Sequence, residues 1–255
     1  MKNNQLNINH DPIQRISHFR FYEELNDFLP EKWKGKTFAY TFTGMPSVKN
    51  TIEAIGVPHV EIDLILVNSE SVGFEYLLRG GEQISVYPVF ESFDILPVIK
   101  LRSKPLRRTK FIVDVNIGKL AQKLRLLGFD TLFRNDYNDN EIVSDSVKQK
   151  RIILTRDIGL LKHSAVTHGY WIRNDDPKKQ VAEVIERLQL QNSFKPFSRC
   201  SVCNDNLKPA MKSKISDKLH SDTIESLINS GSVKGVKKIT GKVRTMTGLL
   251  NGWIG

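Results

Sequence analysis

Residues 111–177 constrain the fold more than any other part of the chain. Short apolar runs alternate there with helical patterns, and an acidic residue stands at nearly every join. Phe111, Ile112 and Val113 form a strand-like run that stops at Asp114, and Ile152, Ile153 and Leu154 form another that stops at Thr155, Arg156 and Asp157. After the first run, Leu120, Leu124 and Leu127 recur at helical spacing, with Gly128 as the stop. FDTLF reads as a second strand, Asn140 as the cap of a helix carrying Glu141, Ile142 and Val147, and GYWIR as a fourth strand. Asp176 caps a last helix with Pro177 at its first position and Val181, Val184, Ile185 and Leu188 on one face. Such alternation implies parallel βαβ units joined right-handedly. Sites in open α/β sheets lie outside the carboxyl ends of the strands. Two strands of one sheet that both end in aspartate therefore bring both carboxylates to one rim.

Upstream the pattern changes. Residues 1–17 are polar and read as a disordered tail. From His18, HFRFY alternates, and KTFAYTF places Phe38, Tyr40 and Phe42 on one face at period two. A helix follows, capped by Ser47, with Val48, Ile52 and Ile55 on one face and Gly56 as its stop. EIDLILVN, SVGFEYLL and QISVYPVF are three further strand candidates. Strands, one helix and more strands across 18–98 predict a small α+β sheet, in an order that resembles the β-grasp, or ubiquitin-like, fold. Sulfur carriers of that fold end in an exposed Gly-Gly. Gly80 and Gly81 instead precede a strand, so carrier chemistry is not open to them, and this domain is expected to bind RNA or a partner, or to pack on its neighbour, without its sequence choosing among these. Residues 99–110 form a basic linker in which Arg102, Arg107 and Arg108 are either solvated or available to a phosphate backbone.

Charge narrows the partner. The 255 residues carry 38 Lys and Arg against 28 Asp and Glu, a formal net charge of +10, which favours a polyanion such as nucleic acid or an acidic surface. The only cysteines are Cys200 and Cys203, so no disulfide framework supports the fold and a reducing cytoplasm is expected. The opening residues hold no apolar signal core, and no apolar run approaches the roughly 20 residues of a membrane span.

The chemistry-bearing candidates are the carboxylates Asp114, Glu141, Asp157 and Asp176, with Asp136, Asp139 and Asp175 close by. Clustered carboxylates hold hard cations that activate water and neutralise a transferring phosphate. Asp157 and Asp176 also stand where helix caps stand, and Glu141 in a first turn complements a helix dipole. Asp114, directly after an apolar run, is costly if buried unpaired. No glycine-rich phosphate loop or Ser/His/Asp arrangement argues for other chemistry.

FIVDVNIGKLAQKLRLLGFDTLFRNDYND, RIILTRD and HGYWIR resemble the PIN-like ribonuclease domain of the Mut-seven C-terminal type. FRFYEELNDFLP, TIEAIGVPH and VYPVFE resemble the ubiquitin-like domain often fused to it. The resemblance implies a PIN-like domain over 111–195 with a central parallel sheet, and a Mg2+- or Mn2+-dependent acidic site that cleaves RNA. By position, Asp114, Glu141 and Asp157 become the metal-binding and catalytic acids, Asp176 a fourth, with Asp136 and Asp139 competing for the place of Glu141. Thr155 is a candidate to fix the Asp157 carboxylate. Arg156 is a candidate for the scissile phosphate, and Lys119 and Arg125 for the RNA backbone; each also reads as a solvated surface cation. Two other readings stay open: a PIN-like module that binds RNA or protein without cutting, and a toxin-like nuclease.

The tail departs from the family. RCSVC supplies Cys200 and Cys203, but Val233 and Val236 stand at the spacing of the second CxxC pair, and His220 is a weak substitute ligand. Structural zinc wants four ligands. Residues 196–255 are thus expected to be a degenerate zinc-binding-type tail, loosely ordered, with a vestigial half-site and no bound Zn2+.

Overall fold

The computed structural model describes residues 13–88, 109–209 and 234–235. The chain divides into two compact units, 1–105 and 106–255.

In the first unit, strands β1 (Gln14–Phe21), β2 (Phe38–Thr43), β3 (Ile62–Val67), β4 (Glu70–Ser71) and β5 (Gln83–Pro88) form one sheet in the order β2-β1-β5-β3-β4. β1 runs antiparallel to β2 and parallel to β5, and β3 is antiparallel to β5. Helix α1 (Val48–Ile55) follows β2, and Ser47 accepts a hydrogen bond from the Asn50 N–H at its start. Its Val48, Ile52 and Ile55 bury against Phe19, Phe21, Phe38, Ile65 and Val86. Period-two strands with one buried face and one amphipathic helix leave little choice but this α+β sheet. β1 opens at Gln14, ahead of the predicted start at His18, so 14–17 belong to the sheet and not to a tail.

SVGFEYLL is not the strand its alternation suggests. Only Glu70 and Ser71 pair with β3. The carbonyls of Phe74 and Tyr76 instead accept from Lys49 N–H (3.3 Å) and Val48 N–H (2.7 Å), donors that the first turn of a helix cannot satisfy internally. Gly80 and Gly81, with φ of +93° and +92°, make a turn into β5. Buried Glu82 locks it, accepting from the N–H of Arg79 (2.6 Å) and Gly80 (2.9 Å) and from the Ser17 hydroxyl (2.6 Å). Burial alone raises the Glu82 carboxyl, but the Ser17 hydroxyl and these N–H groups outweigh it and hold the group below the usual carboxylate range.

The second unit is built on β6 (Lys110–Val113), β7 (Asp130–Leu132), β8 (Ile152–Thr155) and β9 (Gly169–Trp171), all parallel, in the order β7-β6-β8-β9. Helices α2 (Gly118–Leu126) and α5 (Pro177–Arg187) pack together on one face, where Leu120, Leu124, Val181, Val184 and Ile185 meet Phe111, Val113 and Leu154. Helix α3 (Asp139–Gln149) lies against β6 and β8, and the short α4 (Ile158–Leu161) against β8 and β9. The cap of α3 is Asn138, not Asn140. Its side chain accepts from Glu141 N–H while the Glu141 carboxylate accepts from Asn138 N–H, a reciprocal box that outcompetes a later start. Just past the end of α2, Gly128 turns the chain away, and its φ of +97° and contact with the Lys195 carbonyl leave no room for a side chain.

The strand order makes β6 and β8 the point at which the chain reverses direction across the sheet. It leaves β6 for β7 on one side, then crosses by α3 to β8 on the other. A crevice opens outside the carboxyl ends of two strands at such a switch.

Residues 199–206 close a hairpin: Cys200 N–H donates to Asp205 O (2.8 Å) and Asn204 N–H to Cys200 O (3.0 Å). The hairpin is fastened to edge strand β7 rather than loose. Asn204 accepts from Thr131 N–H (3.1 Å) and donates to Asp130 (2.9 Å), while Arg125 donates to the carbonyls of Ser201 (3.2 Å) and Val202 (2.7 Å). Farther on, β10 (Lys208–Pro209) pairs antiparallel with β11 (Lys234–Gly235). Cys200 is buried and Cys203 exposed. Arg102, Arg107, Arg108, His220, Val233 and Val236 lie outside the described residues. No described helix is long and apolar enough to cross a membrane.

Candidate active site

Asp114 follows β6 directly, and its N–H donates to Leu154 O (3.0 Å), carrying the β6–β8 ladder one residue past the strand. The side chain is only 4% exposed. Its Oδ2 accepts from the fully buried Thr155 hydroxyl at 2.7 Å. Thr155 Oγ1 in turn accepts from the Asp157 N–H at 2.8 Å. One hydroxyl, the last side chain of β8, thus joins the two strand-end aspartates. Thr155 was expected to hold the Asp157 carboxylate. It holds the Asp157 main chain and the Asp114 carboxylate instead, because a hydroxyl has one proton to give and Asp114 takes it.

Asp157 is exposed and caps α4, Oδ1 accepting from Gly159 N–H at 2.7 Å. It lines a pocket of about 550 Å³ together with Asn116, Ile117, Arg156, Asp175 and Gln180. Arg156 pairs with Asp175 and donates to Asn174 O at 3.2 Å. The turn between β9 and α5 is fixed from below by Glu183, which accepts from the N–H groups of Arg173 (2.8 Å) and Asn174 (3.1 Å) and from the Asn174 amide (2.7 Å).

The other acids do not join this group. Glu141 is committed to its cap and to Arg134 at 3.3 Å. Arg134 also pairs with Asp136 at 3.0 Å and holds that carboxyl below its usual range. Asp139 opens α3 outside the pocket. Asp176 caps α5, accepting from the N–H of Lys178 (2.8 Å) and Lys179 (3.1 Å), bonds that depress its carboxyl. Both positions show why an acid in a first turn is ambiguous: capping alone accounts for them.

Among the basic candidates, Lys119 is exposed in the first turn of α2, next in sequence to the pocket's Asn116 and Ile117. Arg125 is not available to RNA. It is 3% exposed and spends its guanidinium on Thr131 O (2.9 Å) and the 199–206 hairpin, with burial lowering its pKa. Sequence reasoning passed over Asn116 and Gln180. Gln180 had a signal: it stands one turn before Val184 on the buried stripe of α5, a polar residue among apolar ones.

Divalent cations fit this donor set in one form only. Asp114 is 4% exposed, its Oδ2 is engaged by Thr155, and its second carboxylate oxygen accepts no hydrogen bond among the described residues, which leaves that oxygen open to a cation. Among the described residues no group of three or more His, Cys, Asp or Glu side chains converges as a cage. Mg2+ is held through one or two carboxylates, waters and substrate phosphate oxygens, so Asp114 and Asp157 suit it without a third acid. Cys200 and Cys203 find no further ligand among the described residues, where a structural zinc takes four.

Residues 109–229 match the family model of the Mut7-C RNAse domain, and residues 14–94 that of Mut7-C ubiquitin. The chain belongs to the Mut7-C family. Its two matched stretches coincide with the two compact units, and the parallel sheet carrying Asp114 and Asp157 is the matched RNAse domain. No curated protein and no solved structure matches the chain.

Proposed function

We propose that this Mut7-C chain is a metal-dependent ribonuclease that hydrolyses RNA phosphodiester bonds at the carboxyl rim of β6 and β8. The observation that carries this is the Asp114–Thr155–Asp157 linkage at the sheet's switch point, opening onto a pocket that also holds a guanidinium. Asp114 and Asp157 are the residues to hold Mg2+ or Mn2+, which supplies charge neutralisation and an activated water when bound. Thr155 keeps the Asp114 carboxylate oriented. Arg156 leaves Asp175 to take a phosphate oxygen, an exchange of one anion for another. Lys119 adds backbone attraction at the pocket's edge. A cytoplasmic RNA is the substrate expected for a basic chain whose two cysteines form no disulfide.

Asp157→Asn tests the reading cleanly, because asparagine caps a helix as well as aspartate and so spares α4. The variant is expected to lose at least about 100-fold in RNA cleavage with an unchanged melting temperature, and EDTA to silence the wild type. Cleavage that persists through both changes would sink the proposal. One observation favours a second reading, RNA binding without turnover: three acids do not converge among the described residues. Salt-sensitive RNA binding with no product in manganese would select it.

A further inference from the structure

Gln180 carries an atom that none of the described residues serves. The side chain is 2% exposed, and its Nε2 donates to Asn174 O at 2.9 Å and Asp175 O at 3.5 Å. Both partners are carbonyls, which accept and never donate, so the amide has one orientation: nitrogen toward the turn, oxygen away from it. The oxygen, Oε1, is buried without a hydrogen-bond partner among the described residues, and Gln180 is part of the wall of the pocket beside Asp157 and Arg156. A buried acceptor left unmade costs about 1–3 kcal/mol, and a ligand that brings a donor relieves that cost.

The neighbours define the donor. Arg156 Nη1 and Gln180 Nε2 both bond the Asn174 carbonyl, at 3.2 Å and 2.9 Å. The guanidinium and the Gln180 Nε2 therefore lie within about 6 Å of each other, and Oε1, on the same amide, within about 8 Å, which one nucleotide's phosphate and sugar can span. The pocket's lining contains no aromatic ring on which a base would stack. The 2′-hydroxyl is the one donor that a nucleic-acid backbone carries next to its phosphates, and DNA lacks it. We infer that Gln180 is a specificity-determining residue: its Oε1 accepts a hydrogen bond from the ribose 2′-hydroxyl of the nucleotide whose phosphate Arg156 holds, and so selects RNA over DNA. The inference rests on the nucleic-acid reading of the site but not on catalysis, since the contact is made on binding.

The test compares wild type with Gln180→Met, which keeps the length of the side chain and removes the amide. Two readouts are taken on short single-stranded oligonucleotides, all-ribose or all-deoxyribose: equilibrium binding by fluorescence anisotropy in EDTA, and cleavage in manganese. Wild type is expected to favour ribose by roughly tenfold in binding, one well-made hydrogen bond, and the Met variant to bring that ratio to about one. Loss of the Nε2 bond to the turn weakens both substrates alike, so a ratio unchanged in the Met variant overturns the inference. So does a wild-type ratio near one, or a preference that follows base identity instead of the sugar; either leaves the ribonuclease reading standing. A ribose preference that collapses in the Met variant, in a protein that cuts nothing, upholds the inference while the ribonuclease reading fails.

Discussion

At the scale of single residues, Thr155 does what neither aspartate does alone. Its hydroxyl proton goes to Asp114 Oδ2 and its lone pair receives the Asp157 N–H, so one rotamer fixes a side chain on β6 and the main chain leaving β8. The hydroxyl is wholly buried, which makes both bonds costly to lose. Thr155→Val keeps shape and β-branching while deleting both. It is expected to lower unfolding stability by about 1–3 kcal/mol and RNA cleavage by roughly 10–100-fold, the loss typical when a metal-binding group is left unoriented. Thr155→Ser restores the donor and the acceptor, so most of the activity should return, although the methyl's packing is lost. Urea unfolding and single-turnover cleavage measure the two effects separately. A fully active Val variant would remove Thr155 from the site and leave Asp114 a structural acid.

Among elements, the 199–206 hairpin and edge strand β7 form a unit that distant contacts create. β7 has no strand neighbour on its outer side among the described residues, and an open edge invites pairing with another chain. Asn204 covers it by accepting from Thr131 N–H and donating to Asp130, and Arg125 reaches the hairpin's carbonyls. Asn204→Ala leaves a β7 N–H unmade and is expected to cost about 1–3 kcal/mol, read by urea unfolding, with increased self-association by light scattering. An unchanged midpoint with no association would show the hairpin to be ornamental. This pair of elements also marks where the sequence stops being legible. The parallel strands, the caps at Asp157 and Asp176 and the shared rim of Asp114 and Asp157 were readable because each depends on near neighbours and on the strand and helix periods. Arg125 was not. On a short helix it reads as a solvated cation, and its partners Ser201 and Val202 arrive from about 76 residues later. Glu141 misled for the opposite reason: its capping box is purely local, yet an acid after a strand–helix turn looks the same as a ligand. Gln180 stood in plain view on an apolar stripe, but which of its atoms stays unpaired depends on the turn at Asn174.

For the whole molecule, each unit depends on one anchored carboxylate, and this makes acid the condition that tests both at once. Glu82 ties the Gly80–Gly81 turn to β1 through Ser17, and Asp130 ties β7 to Arg151 (2.8 Å), Arg199 (3.4 Å) and Asn204. Burial opposes ionisation at Asp130, but Arg151, Asn204 and Arg199 outweigh it, so its folded pKa, like that of Glu82, lies below the ordinary value. A depressed folded pKa means that the unfolded chain takes up protons first as pH falls. The stabilisation is therefore complete above the ordinary carboxylate range of about 4 and is lost as pH drops through the folded values beneath it. The formal charge of +10 grows in the same window as carboxylates neutralise, and self-repulsion adds to the loss. Urea midpoints at pH 7, 5, 4 and 3 are expected to hold steady to about pH 5 and then fall. Glu82→Gln and Asp130→Asn should each lower the pH 7 midpoint while flattening the acid decline, since each removes a proton-linked difference between folded and unfolded chain. The destabilisation belongs to the first unit for Glu82→Gln and to the second for Asp130→Asn, which amide exchange resolved by peptide distinguishes. If both variants unfold along the wild-type acid curve, these two anchors carry no proton linkage, and acid sensitivity lies in the net charge alone.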